Sequence, residues 1–196
     1  MEAKEPVQHS MGAVCVGGSV IALKFKDGVI MSSDTAVSYG SMRAYKHQER
    51  YHKINDEVAV ASSGEMSDFQ EIKKIFQEKE ETEFVENCGQ FLKPQDYANY
   101  LSRVQYNRRM RGNPLFCSSI VAGVRKETGE ATISYVDMNG LKIDGPYRAT
   151  SLGNYFCQVL IENSHKEDMS EADAIKLLED CQRVLFYKDK RCTDEI

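Results

Sequence analysis

The dipeptide Asp27-Gly28 constrains this chain more tightly than any other feature. Before it stands Ser19-Val20-Ile21-Ala22-Leu23-Lys24-Phe25, a β-branched and aromatic run; after it stands Val29-Ile30-Met31. Asp-Gly between two such runs is a strong hairpin signal, because glycine enters a tight turn without a Cβ penalty. Asn139-Gly140 repeats the pattern between Ala131–Asp137 and Leu141–Asp144. Antiparallel sheet is therefore expected around both turns.

Further strands are expected at Tyr51–Ile54, Glu57–Ser62 and Ser118–Val124, with Ser38–Ser41 as loop. Helical patterns alternate with these strands. Ser67 with Gln70 forms a capping-box pattern, and Phe69, Ile72 and Phe76 recur at helical spacing. The charge-dense stretch 77–86 reads as a solvated helix end plus loop. Pro94 suits a helix start, Tyr97, Leu101 and Val104 continue it, and Arg108–Arg111 with Gly112 suit its end. Residues 155–163 read as a helix. Ser170 and Asp173 open another, whose stripe Ala174, Leu178, Cys181 and Leu185 is widened by Ile175, Leu177 and Val184. Two antiparallel sheets face to face, with helices outside each, would bury all these faces. The expected class is α+β, a four-layer α/β/β/α sandwich.

Composition narrows the function. At 196 residues the chain suits one domain, or two small ones. Its net charge of −5 argues against a general nucleic-acid or anionic-membrane binder. Three arginines near position 110 read as helix C-terminal charge or a protein contact rather than a phosphate patch. The N-terminus lacks the apolar run of a signal peptide, and no apolar run approaches the ~18 residues that span a bilayer. The six cysteines, at 15, 88, 117, 157, 181 and 192, form no C-x-x-C pair and read as reduced core thiols. Neither they nor the four histidines have metal-ligand spacing, so no metal and no cofactor is expected.

An ordered series of motifs carries a resemblance. Gly17-Gly18-Ser19-Val20, Lys24–Ile30, Asp34-Thr35, Ser38–Ser41, Glu49-Arg50 and Gly64–Asp68 come first. Tyr106–Arg109, Asn113-Pro114-Leu115, Ile120–Val124 and Tyr187-Lys188-Asp189 follow. Together, over residues 17 to 192, they resemble the proteasome β subunits. The resemblance implies the N-terminal-nucleophile hydrolase fold, the same sandwich reached above. It also implies a place beside other α and β subunits in four stacked rings of seven, working in ubiquitin-dependent degradation in cytoplasm and nucleus.

Active members of that family expose an N-terminal threonine whose hydroxyl attacks the peptide carbonyl. Alignment on Lys24 puts that position at Gly18, which has no side chain. Asp34 matches the first site aspartate, and Arg50 stands where active members carry lysine. A guanidinium keeps the charge but cannot relay a proton. Gly64 matches the oxyanion glycine, Asp189 the second aspartate, and Cys192 replaces a serine. Cleavage before Ser19 would expose a hydroxyl on the opposite strand face, and cleavage before Cys15 a thiol three residues early. The expectation is a non-catalytic subunit in which Asp34, Arg50 and Asp189 form a structural ion-pair cluster. The alternatives are an active threonine-type peptidase, disfavoured by Gly18, and a stand-alone hydrolase or binding module with no ring. Residues 1–17 are expected to be a leader or N-terminal extension, with 1 to about 16 outside the core, and 18–196 the domain. The family's final strand pair is expected to be missing after Asp189, and a shortened chain is favoured over an edge finished by something else.

Overall fold

The hairpin expected around Asp27 forms from β2 (Val20–Phe25) and β3 (Gly28–Ser33), paired from Val20↔Ser33 to Phe25↔Gly28. Its turn residues are Lys26 and Asp27, and Gly28 is the first residue of the return strand, with no positive φ. The glycine thus marks the hairpin without making its turn. This computed structural model describes residues 12–86 and 92–196; Cys88 and residues 1–11 lie outside them.

Two sheets result. In the larger, β7 (Val58–Glu65), β8 (Cys117–Val124), β9 (Ala131–Val136) and β10 (Lys142–Asp144) run as an antiparallel meander. Gly140, at φ +85, carries the turn between β9 and β10. The other edge of β7 pairs with β6 (Tyr51–Lys53) and then with β1 (Cys15–Gly17). Beyond β1 lie β4 (Val37–Tyr39) and β5 (Met42–Tyr45). The smaller sheet has the order β11-β2-β3, with β11 at Tyr147–Ala149. Among the described residues no strand pairs with the outer edge of β3.

Helices α1 (Met66–Glu86) and α2 (Pro94–Met110) cover the large sheet, burying Phe69, Phe76, Tyr97 and Leu101 against Val58, Val121 and Val136. Between the sheets, Val20 and Ala22 meet Ala61, Ile120, Ala122 and Ile133. Outside the small sheet lie α3 (Gly153–Phe156), α4 (Gln158–Ser164) and α5 (Glu171–Lys188). The stripe Ala174, Leu178, Cys181 and Leu185 packs there on Ile21 and Leu23, while Ile175 stays exposed. Strand β2 alternates between those two cores, Val20 and Ala22 inward and Ile21 and Leu23 outward, which is the period of two at work. Three apolar cores separate four layers, as expected.

Several local expectations change. Ser38–Ser41 is a hairpin rather than loop, with Gly40 at φ +57 in its turn. Residues 77–86 stay helical: Lys79 pairs with Glu83 one turn on, so charge supports the helix instead of ending it. Ser67 is not an N-cap, because α1 begins at Met66; the Glu65 carboxylate accepts its N–H at 3.5 Å. The helix expected over 155–163 breaks at Cys157 into α3 and α4. Ser170 does cap α5, accepting the Asp173 N–H. The leader expected over 1–17 is corrected at its end: Cys15–Gly17 is a strand inside the large sheet, and Gly17 is buried.

Candidate functional site

The chain leaves β1 at Gly17, passes through Gly18 and enters the small sheet at Val20. Gly18 is therefore where one strand direction crosses from the large sheet to the small one. Asp34 follows β3 and Arg50 precedes β6, so the crossing, the end of one strand and the start of another meet at one point.

Arg50 is fully buried. Its Nε donates to the Asp34 carbonyl at 2.8 Å, its Nη1 to the Gly18 carbonyl at 2.5 Å and its Nη2 to the Ser19 carbonyl at 3.2 Å. Nη2 also makes a buried ion pair with Asp34 Oδ1. The other Asp34 oxygen accepts the N–H groups of Ala36 and Thr193, each at 3.3 Å. Burial pushes the Asp34 carboxyl up from its ordinary value, and the guanidinium and those two amides pull against it. Burial likewise pulls Arg50 down, opposed first by Asp34, yet guanidinium starts so high that it stays charged.

The glycines fit around this arginine. A Cβ on Gly17 would lie 2.7 Å from Arg50 Cδ, and one on Gly18 3.0 Å from Asp34 Oδ1. Gly64 is held for a different reason: at φ +103, a Cβ there would stand 2.2 Å from the Phe116 carbonyl oxygen. It pairs with Gly17 across β1, so the residue ahead of position 18 lies on the glycine matched to the oxyanion hole.

Asp189 and Cys192 lie beside this centre on the segment after α5. The expected three-membered ion-pair cluster reduces to a pair. Asp189 interacts with Arg50 only through space and instead accepts the Arg191 N–H at 2.9 Å. Cys192 offers its carbonyl to Arg43 at 2.8 Å, and burial pushes its thiol up to about 12. Ser19 turns away, as the strand period requires: its hydroxyl accepts the Gly153 N–H at 2.9 Å. Two contributors escaped the sequence reading, the Thr193 N–H and the Gly17 position. The adjacent glycines at 17 and 18 were the one available signal, and only proximity to Arg50 explains the first of them.

Outside the site, Arg108 bridges from α2 to Glu71 on α1, so that cation joins two helices. Among the described residues no cluster of His, Cys, Asp or Glu could hold a metal ion, and no helix is long and apolar enough to cross a membrane.

Four layers, with the chain passing from the large sheet to the small one at Gly18 beside the Asp34–Arg50 pair, make up the N-terminal-nucleophile hydrolase architecture. The chain belongs to the proteasome family: the family's "Proteasome subunit" pattern matches residues 14–196. It is 37% identical over 194 residues to Arabidopsis thaliana proteasome subunit beta type-4, covering 99% of this chain and 78% of that one. Xenopus laevis proteasome subunit beta type-4 is 32% identical, over 95% of this chain and 77% of that one. A probable proteasome subunit beta type-7 of Schizosaccharomyces pombe is 33% identical, over 95% and 72%.

Proposed function

We propose that this chain is a non-catalytic β subunit of the proteasome core particle. Its task is to complete a seven-membered β ring, bounded by an α ring on one side and the second β ring on the other. It contributes to ubiquitin-dependent protein degradation in cytoplasm and nucleus only as part of that particle. The observation that carries this reading is Arg50 Nη1 on the Gly18 carbonyl. The position matched to the nucleophile has no side chain, and the cation beneath it is spent on backbone carbonyls and Asp34. Two nearby candidates for a substitute nucleophile are both engaged elsewhere: the Ser19 hydroxyl faces α3, and the Cys192 thiol is buried and protonated at neutral pH.

A subunit of this kind needs surface for neighbours. Tyr155, Val159, Phe186 and Tyr187 leave apolar area exposed along α3–α5. Exposed apolar side chains of this kind suit a protein contact better than water.

The test is native purification followed by an electrophile directed at N-terminal threonine. The expected result is a particle of several hundred kilodaltons in which neighbouring β subunits are labelled and this chain is not. A free monomer of 22.2 kDa would sink the assembly claim. Labelling of this chain would sink the non-catalytic claim.

A further inference from the structure

Two thiols meet in the core outside the small sheet, away from Arg50 and Gly18. Cys157 stands at the break between α3 and α4, and Cys181 stands within α5. Both are fully buried in the apolar cluster that holds Ile161, Leu177 and Leu185. The Cys157 thiol lies 3.5 Å from the Cys181 carbonyl oxygen, and the two thiols are within hydrogen-bond reach of each other. Both are free thiols in this structure. Burial pushes the Cys117 and Cys192 thiols up to about 12. Cys157 moves the other way, because the Cys181 S–H beside it stabilises a Cys157 thiolate more than burial disfavours one. The same bond raises Cys181. One sulfur is thus disposed to attack, and its neighbour stands ready to resolve the product.

We propose that Cys157 and Cys181 are a pair oxidised by hydrogen peroxide, whose disulfide staples the α3–α4 junction to α5. The Cys157 thiolate attacks one peroxide oxygen: the S–O bond forms, the O–O bond breaks, and the other oxygen leaves as water. The Cys181 sulfur then attacks the Cys157 sulfur: the S–S bond forms, the S–O bond breaks, and the hydroxyl leaves as a second water. Two thiols are oxidised, and one peroxide is reduced to two waters that carry away both thiol protons. The oxidant has to be small, since both sulfurs are enclosed. It enters through local opening of α3 and α4, which are four and seven residues long. The bond would join positions 24 residues apart, a separation long enough for a cross-link to constrain the unfolded chain. Tyr155 and Val159 flank Cys157, and Phe186 and Tyr187 follow Cys181 on α5, so the same bond ties together the helices that carry this exposed apolar area. This inference is independent of whether the subunit is catalytic.

Hydrogen peroxide added to the reduced full chain tests it. Peptide mapping without reductant should show a cross-link between Cys157 and Cys181 that dithiothreitol removes. Urea denaturation of the cross-linked chain should show an unfolded fraction at least about tenfold below that of the reduced chain. Cys157→Ala should abolish both changes. No cross-link at a peroxide excess that oxidises the more accessible Cys15 overturns the proposal. So does a cross-link that forms only in denaturant, or one that joins Cys157 to a different cysteine. An unfolded fraction that the cross-link leaves unchanged overturns the staple. The mapping needs no variant, so it decides the matter even if Cys157→Ala fails to fold.

Discussion

Two arginines form ion pairs in this molecule under opposite conditions. The Arg50 side chain is 0% exposed and its Asp34 partner 1%, whereas Arg108 and Glu71 are 31% and 42% exposed. Arg108 clips one surface helix to the next, in water that screens the attraction. Arg50 joins three chain segments through backbone carbonyls that would otherwise be orphaned. Burial makes it a part of the scaffold, since removing one partner leaves both a charge and carbonyls unsatisfied.

The strongest way to break the contrast is Arg50→Ala. It should cost about 3–5 kcal/mol, read from urea denaturation of the purified chain. A loss below about 1 kcal/mol would put Arg50 in the same class as Arg108. The paired replacement Asp34→Leu with Arg50→Met sharpens the point. Relief of the charge penalty should recover only part of the loss, because the carbonyls of Gly18 and Ser19 would still lack donors. Full recovery would mean that the charge pair alone matters.

Crowding the arginine stem comes next. Gly17→Val should lower stability by about 1–3 kcal/mol, the cost of forcing extra methyl groups into a packed site. A neutral result in the same denaturation assay would show that Arg50 moves aside freely.

The buried thiols report burial from another direction. Burial pushes Cys117 up from 9.0 to about 12. A raised folded-state value means that its contribution is complete below pH 9.0 and lost as pH rises toward 12. Stability should therefore fall at about 1.4 kcal/mol per pH unit in that window for this thiol, and Cys117→Ser should flatten the slope. An identical slope in the variant would remove Cys117 as its cause. The smallest effect belongs to Arg108→Ala, at about 0.2–1 kcal/mol and weaker still in high salt.

The β2–β3 and β9–β10 hairpins were legible because strand period and turn chemistry are local. So was the α5 stripe, whose spacing places Ala174, Leu178, Cys181 and Leu185 on one face whatever they meet. Strand β1 was not legible, since Cys15-Val16-Gly17 is too short to show a period. Its place comes from two strands that arrive later in the chain. The β4–β5 hairpin was missed for a related reason: Val37–Tyr39 is only three residues long, and Gly40-Ser41 reads equally well as loop.

The candidate site divides in the same way. Residue identity alone settled that position 18 carries no side chain, and counting back from Lys24 matched it to the family's nucleophile position. Sequence could not say where the Arg50 charge goes. It was expected to balance Asp34 and Asp189 together, but folding commits it to Asp34 and to three carbonyls, leaving Asp189 to its own loop. Covalent composition decides that position 18 carries no side chain. Desolvation decides what the remaining charge must hold, because a buried guanidinium needs every acceptor within reach, and only the folded chain brings those acceptors together.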